Sequence, residues 1–318
     1  MSLSIIVPTY KRPKDLLRLL NSIANLTVQP DELVIIVGPK DEESLSVCKN
    51  WISNFTKLTI LMAQKGSLIH ALNMGLGVAS KEIICLLDDD VELPADWSIK
   101  IINAYKNNSK LGAYGGRDHL QTGEDRLDNP PAAKIVGTYT WDGRLFGNHH
   151  CGAEKSPMFV DLIKGANLSF RRIAFPIMKI DSNLEGLGAE ICSEIDICLT
   201  IKKAGYQVVY DNDNYILHFA APRLGDDNRH DLFSSKMPGR IFNESFTTGK
   251  FRSKFEIIMF FFRSLLIGTH IRPGIIRSVF LIKKHGLKVL KLPFVNIVFV
   301  LNGIKKGMQI RKEMSMLK

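Results

Sequence analysis

The chain has 318 residues, 45% hydrophobic and 23% charged, a composition that supports a sizeable core and excludes a disordered or low-complexity protein. Its net charge of +10 is uneven: residues 251–318 hold 14 Lys and Arg against two acids, Glu256 and Glu313, and the first 250 residues are close to neutral. Five scattered cysteines (Cys48, Cys85, Cys151, Cys192, Cys198) include no Cys-x-x-Cys pair, so free thiols are expected rather than a disulfide scaffold or a zinc site.

No targeting segment is read ahead of the first strand, and a cytoplasmic protein is expected. Residues 3–7 (LSIIV) form a β-branched run ending at Pro8, which predicts a buried strand. Arg12-Pro13-Lys14-Asp15 opens a helix with Leu16, Leu17, Leu19, Leu20 and Ile23 on its apolar side. Strands follow at 32–37, 58–61 and 82–87, with helices at 41–51 and 67–79 between them. This alternation predicts a parallel sheet covered by helices, and the unbroken apolar runs predict strands buried on both faces.

Pro94 and Asp96 start a helix over 97–105, with Asp96 read as its cap. Residues 112–160 read as a loop-rich insertion, because Gly115-Gly116, Asn129-Pro130-Pro131 and Asp142-Gly143 look like turns. A short strand is expected at 159–162. A helix over 193–204 stops at Gly205, and two late strands fall at 208–210 and 215–217.

Beyond residue 251 the stretches 255–262, 275–290 and 294–304 are apolar but interrupted or flanked by Arg and Lys. None holds the roughly 18 uninterrupted apolar residues of a spanning helix. The mixture fits helices lying on an anionic membrane surface, the alternative being a helical subdomain with a solvated basic face. Nucleic acid is not expected as a partner, since the tail is too apolar and no groove-reading motif occurs.

The stretch ICLLDDDVELP (84–94) runs from a buried strand into Asp88, Asp89 and Asp90. The carboxyl edge of an open α/β sheet is where ligands bind. Hard oxygen donors there suit Mg²⁺ or Mn²⁺, which bridge carboxylates to phosphates. A plain acidic helix cap is the competing reading, and Asp96 relieves the triplet of that duty.

Several segments in order resemble family 2 glycosyltransferases with the GT-A fold. They are Ser4-Ile5-Ile6-Val7-Pro8-Thr9-Tyr10; Pro30-Asp31-Glu32-Leu33-Val34-Ile35; Lys65-Gly66 with Ala71-Leu72-Asn73-Met74-Gly75; Leu87-Asp88-Asp89-Asp90 at the DXD position; and Gly165-Ala166-Asn167-Leu168-Ser169-Phe170. The similarity covers residues 3–245.

It implies an α/β GT-A (Rossmann-like), mostly parallel sheet flanked by helices, to which the tail's own residues add a C-terminal helical, basic amphipathic segment. The transferase domain would be 1–250, and from its basic, apolar composition 251–318 is expected to be an amphipathic helical region on the inner face of the cell membrane. The implied reaction is inverting, metal-dependent transfer of a sugar from a nucleotide-sugar donor to an acceptor hydroxyl, and the basic, apolar tail points to a lipid-linked or envelope glycan as that acceptor. Mn²⁺ or Mg²⁺ would be held by Asp88 and Asp90, with His218 at the end of a late strand. The nucleotide-sugar would meet Pro8, Thr9, Tyr10, Arg12, Lys65, Asn73, Asp88, Asp89 and Asn167.

Two departures matter. Where the family often carries a base-contacting carboxylate after the second strand, this chain has Val37-Gly38-Pro39-Lys40-Asp41. A uridine donor is therefore not implied, and Asp41 is the candidate substitute. The family's Glu-Asp motif aligns with Ser193-Glu194, placing Glu194 at the general-base position, with Asp196 and Glu190 as alternatives. A helix N-terminus lowers the pKa of Glu194, while nearby carboxylates and phosphates raise it. Ser193 and Asp196 also read as a capping box. His149-His150-Cys151 reads as loop, and 223–240 as a lid over the diphosphate with Arg223, Arg229 and His230.

Two rival functions stay open. A sugar-phosphate nucleotidyltransferase uses a similar sheet, but would need a Gly-rich loop where Thr9-Tyr10-Lys11-Arg12-Pro13 stands. A non-catalytic glycan or nucleotide-sugar binding module has no need of Asp88, Asp90 and Glu194 together.

Overall fold

Four apolar runs form four parallel strands, β1 (Leu3–Thr9), β2 (Glu32–Val37), β3 (Leu58–Met62) and β4 (Ile83–Leu87), in the order β3-β2-β1-β4. This computed structural model describes residues 1–122, 126–127, 129–184, 191–219, 232–234, 237–269 and 272–316. The central three strands are buried along their length, which is why their sequences do not alternate. The crossovers are α1 (Pro13–Ala24), α2 (Glu42–Asn50) and α3 (Leu68–Val78). Pro13 opens α1, whose lack of a leading amide costs nothing at that position. Leu16, Leu19, Leu20 and Ile23 are buried, while Leu17, expected with them, is exposed.

The chain divides into two compact units. The first is Met1–Thr138, Phe146–Asp181 and Ser193–Pro222; the second is Tyr139–Leu145, Ser182–Cys192 and Arg223–Lys318.

The first unit continues with β5 (Val91–Glu92), α4 (Trp97–Asn107), β6 (Leu111–Thr122), β7 (Met158–Phe159), β8 (Asn167–Arg171), α5 (Ser193–Lys203) and β9 (Gln207–His218). The sheet order is β7-β9-β6-β8-β4-β1-β2-β3, with β5 on β9. β8 runs antiparallel to β4 and β6, and β6 is parallel to β9.

Three expectations need correction here. The insertion read as loop over 112–160 begins with the twelve-residue strand β6. Its glycines are there for close approach rather than for turns. A Cβ on Gly115 would overlap the Asn167 carbonyl oxygen, and one on Gly116 those of Asp211 and Asn214. The two late strands are one strand, β9, whose register against β6 shifts between Asp211 and Ile216. A bulge of this kind accommodates the polar run Asp211-Asn212-Asp213-Asn214 inside a strand. Asp96 precedes α4, but its side chain makes no capping bond and pairs with Lys100 at 2.8 Å.

The second unit is helical: α6 (Met237–Phe251), α7 (Lys254–Leu266), α8 (Ile275–His285) and α9 (Leu292–Met316). Its core is Met237, Ile241, Ile257, Phe260, Val300 and Ile304. α6 and α9 approach backbone to backbone, since a Cβ on Gly249, Gly303 or Gly307 would overlap a main-chain oxygen of the facing helix. α7 opens with a reciprocal capping box between Ser253 and Glu256. Arg263, which interrupts an apolar stretch in the sequence, donates to the carbonyls of Asp142 at 2.8 Å and Gly143 at 3.2 Å. Contrary to the sequence reading, one helical run, Leu287–Met316, is long and apolar enough to cross a membrane by length and composition, with 33% of its most apolar window buried. The requirement for an uninterrupted run failed because mean hydropathy tolerates Asn296 and Asn302.

Candidate active site

The parallel strands β1 and β4 end side by side, so the segments after Thr9 and after Leu87 share one edge of the sheet. Thr9 Oγ1 donates to Asp89 Oδ2 at 2.8 Å. Arg12 Nη1 lies 2.9 Å from Asp89 Oδ1 and 3.2 Å from Asp90 Oδ2. Between them Lys11 takes a positive φ of 54°, held there as its amide donates to Asp41 Oδ2. The other oxygen of Asp41 caps α2 by accepting from the Ser44 amide at 3.1 Å. Asp41 thus secures the β1–α1 turn.

β9 brings His218 to the same edge. The amide of Phe219 donates to the Asp90 carbonyl at 2.9 Å, and β5 pairs with the end of β9. His218 Nε2 is 3.1 Å from Asp90 Oδ1, and Nδ1 is 2.8 Å from Asp118 Oδ1. Lys164 Nζ pairs with Asp118 Oδ2 and lies 3.3 Å from His218 Nδ1.

One oxygen each of Asp88 and Asp90 and one nitrogen of His218 lie within 4.8 Å of one another. Two carboxylates and an imidazole form a mixed O/N donor set suited to a divalent cation such as Mn²⁺. Burial pushes the Asp88 carboxyl above its usual range, with the Asp90 charge adding. For His218, burial opposes the charged form, but the hydrogen bonds to Asp118 and Asp90 push it up to about 9. A charged His218 balances these carboxylates, and a divalent cation held by the same three groups would take the neutral imidazole and release its proton.

Glu194 lies in the first turn of α5. Burial pushes its carboxyl up and the charge of Asp88 adds, against the Ser193 hydroxyl, which donates to Oε2 at 3.1 Å, and against Lys164. The upward effects prevail. Asp196 is buried and accepts from the Asp181 amide at 3.0 Å, so it ties a preceding loop to α5.

Other sequence candidates divide by role. Tyr10 packs so closely on Gly38 that a Cβ there would overlap its ring, and it remains 38% exposed. Pro8 is part-buried within β1, and Lys65 is exposed. Asn73 exchanges two hydrogen bonds with the backbone of Ile180, at 3.0 and 2.7 Å. Asn167 accepts from the Trp97 indole at 3.0 Å and donates to the Asn214 carbonyl at 2.7 Å. Val37, at the family's carboxylate position, is fully buried. His149 is buried against Tyr210 and bonds the Leu162 carbonyl, as a loop residue would. Glu190, Arg223, Arg229 and His230 lie outside the described residues.

Asp118 and Lys164 were missed from sequence. No local motif marks them; the available signal was a lone Asp in a strand and a Lys immediately before the Gly165-Ala166-Asn167 segment.

Residues 4–164 match the sequence profile described as Glycosyl transferase family 2. The glucosyl-dolichyl phosphate glucuronosyltransferase of Haloferax volcanii is 23% identical over 69% of this chain and 69% of its own. The poly-beta-1,6-N-acetyl-D-glucosamine synthase of Staphylococcus epidermidis is 26% identical over 42% of this chain and 34% of its own. Among solved structures, GalNAc-T7 with UDP, GalNAc and Mn²⁺ superposes with a TM-score of 0.61 at 13% identity, over 78% of this chain and 48% of that one. S. aureus TarS 1–349 does so with a TM-score of 0.54 at 14% identity, over 100% and 92%. These likenesses show the GT-A fold.

Proposed function

The chain belongs to glycosyl transferase family 2, and from that premise we propose that it transfers a sugar, with inversion, from a nucleotide-sugar donor to a hydroxyl of a lipid-linked or envelope glycan acceptor. The observation that carries this reading is the convergence of Asp88, Asp90 and His218 at the sheet edge, within electrostatic reach of the raised carboxyl of Glu194.

Asp88, Asp90 and His218 would hold Mn²⁺ or Mg²⁺, which when bound neutralises charge on the departing diphosphate. Thr9 and Arg12 fix Asp89 and thereby the loop that presents its two neighbours. Pro8 and Tyr10 line the end of β1 where the nucleotide would lie, and Lys65 offers an exposed cation. Asp41, Asn73 and Asn167 hold the backbone that frames the site.

Glu194 acts as general base on the acceptor hydroxyl. A pKa above the usual carboxylate range makes it a better proton acceptor than an ordinary Glu. Asp196 supports the same helix turn.

The lipid-linked acceptor is supported by the name of the H. volcanii relative, which places its substrate on dolichyl phosphate. It is also supported by residues 251–318. Phe255, Ile258, Phe262 and Leu266 are exposed at helical spacing along α7, and Phe280 on α8 is 79% exposed. With 14 Lys and Arg in this region, these residues suit peripheral contact with an anionic inner membrane face. We assign the transfer chemistry to residues 1–250 and the membrane contact to 251–318.

A thermal-shift screen of nucleoside diphosphates with and without Mn²⁺ tests the donor reading. One diphosphate should raise the melting temperature only when Mn²⁺ is present. No stabilisation by any of them would remove the basis for a nucleotide-sugar donor.

A further inference from the structure

Asp118 and Lys164 contribute no atom to the group of Asp88, Asp90 and His218, yet they meet the imidazole from its far side. Asp118 is 1% exposed, on β6. A carboxylate so placed is costly unless paired. Both its oxygens are engaged, Oδ1 by His218 Nδ1 at 2.8 Å and Oδ2 by Lys164 Nζ.

The imidazole is therefore oriented from one end. With Nδ1–H donating to Asp118, the nitrogen turned toward Asp90 is Nε2, 3.1 Å from Asp90 Oδ1. The hydrogen bond at one ring nitrogen decides which lone pair the other presents. Lys164 holds the second oxygen of Asp118, so both oxygens of that carboxylate are engaged.

We propose that Asp118 is a positioning residue for the metal site: it fixes the ring orientation and tautomer of His218 so that Nε2 joins Asp88 and Asp90, and Lys164 holds Asp118 in that role. This rests on the metal-site reading above. Partners that orient a metal-binding histidine typically contribute 10–100-fold to metal affinity.

The test is Mn²⁺ affinity of the full chain, measured from the EPR signal of free Mn²⁺, for wild type, Asp118→Leu, Asp118→Asn, His218→Ala and the Asp118→Leu/His218→Ala double variant. Asp118→Leu should weaken binding by about 10–100-fold, nearly as much as His218→Ala. Asp118→Asn, whose Oδ1 still accepts from Nδ1–H, should lose less. Because Asp118 acts through His218, the double variant should bind no more weakly than His218→Ala alone.

A second measurement needs no variant. In the Mg²⁺-loaded wild type, imidazole ¹⁵N shifts should show Nδ1 protonated and Nε2 not; the opposite tautomer overturns the proposal even if Asp118→Leu fails to fold. Wild-type affinity in Asp118→Leu alongside a weakened His218→Ala, or a double variant with additive losses, sinks the positioning role alone. A wild type that binds no Mn²⁺ overturns the metal-site reading with it.

Discussion

Thr9 and Asp89, eighty residues apart, are joined by a 2.8 Å hydrogen bond between the ends of two adjacent parallel strands. With Arg12 on the other oxygen of Asp89, this bond gives the three consecutive carboxylates separate tasks. Asp89 anchors the loop to β1, while Asp88 and Asp90, the latter also 3.2 Å from Arg12 Nη1, converge on His218. Thr9→Val keeps the shape and leaves a buried acceptor short of one donor, an expected loss of about 1–3 kcal/mol. Urea denaturation measures it, and an unchanged midpoint would show that the bond does not brace the loop.

Glu194→Gln should lower kcat by about 10²–10⁴-fold and leave nucleoside diphosphate binding intact. Donor titration beside initial rates separates the two effects. Comparable rates in variant and wild type would move the base elsewhere.

The pH profile carries the same claim. A base must be deprotonated, and burial with the Asp88 charge raises Glu194 above its usual range. The acidic limb of kcat/KM should therefore lie above the ordinary Glu value of about 4.3. Lys164 counteracts that rise, so Lys164→Met should move the limb to still higher pH. A limb that stays in place or moves down contradicts the assignment.

Glu32 offers a structural test of acid sensitivity. It accepts from Ser4 Oγ at 2.5 Å and from the Ser80 amide at 2.8 Å, and pairs with Lys57. Burial opposes its charge, but these partners lower its carboxyl to about 2. A group depressed on folding adds stability that is full above its unfolded pKa and fades as pH falls toward the folded value. Wild type should thus exceed Glu32→Gln in stability at neutral pH, with the gap closing between about pH 4.3 and about pH 2. A gap that does not depend on pH would assign the difference to packing.

Membrane contact is tested on the second unit, where Trp141 stacks on Phe255 at 6.1 Å between ring centroids and the two are 53% and 63% exposed. Phe255→Ser with Phe262→Ser should reduce sedimentation with anionic vesicles about tenfold or more without changing the melting temperature. Added salt should weaken the wild-type interaction. Equal binding to neutral and anionic vesicles would remove the electrostatic part of the reading.

The opening α/β layers were legible because β-branched runs and Pro13 at a helix start act locally. β6 was not, because Gly115 and Gly116 meet main-chain oxygens contributed by Asn167, Asp211 and Asn214, and such contacts leave no local periodicity. The Asp88–Asp90 edge could be read from its place after a buried strand, and His218 from its place at a strand end. Asp118 and Lys164 reach His218 across 100 and 54 residues of sequence, through strand pairings that only the folded sheet reveals.

The most direct test of the central claim is product analysis with a responsive nucleotide-sugar and a lipid-linked acceptor, for wild type and Asp90→Asn, with Mn²⁺ and after chelation. The account predicts a glycosylated acceptor of inverted anomeric configuration and one nucleoside diphosphate per transfer. Chelation or the Asp90→Asn substitution should abolish both. Undiminished transfer in chelated protein or in Asp90→Asn, or pyrophosphate released from a nucleoside triphosphate, would contradict it.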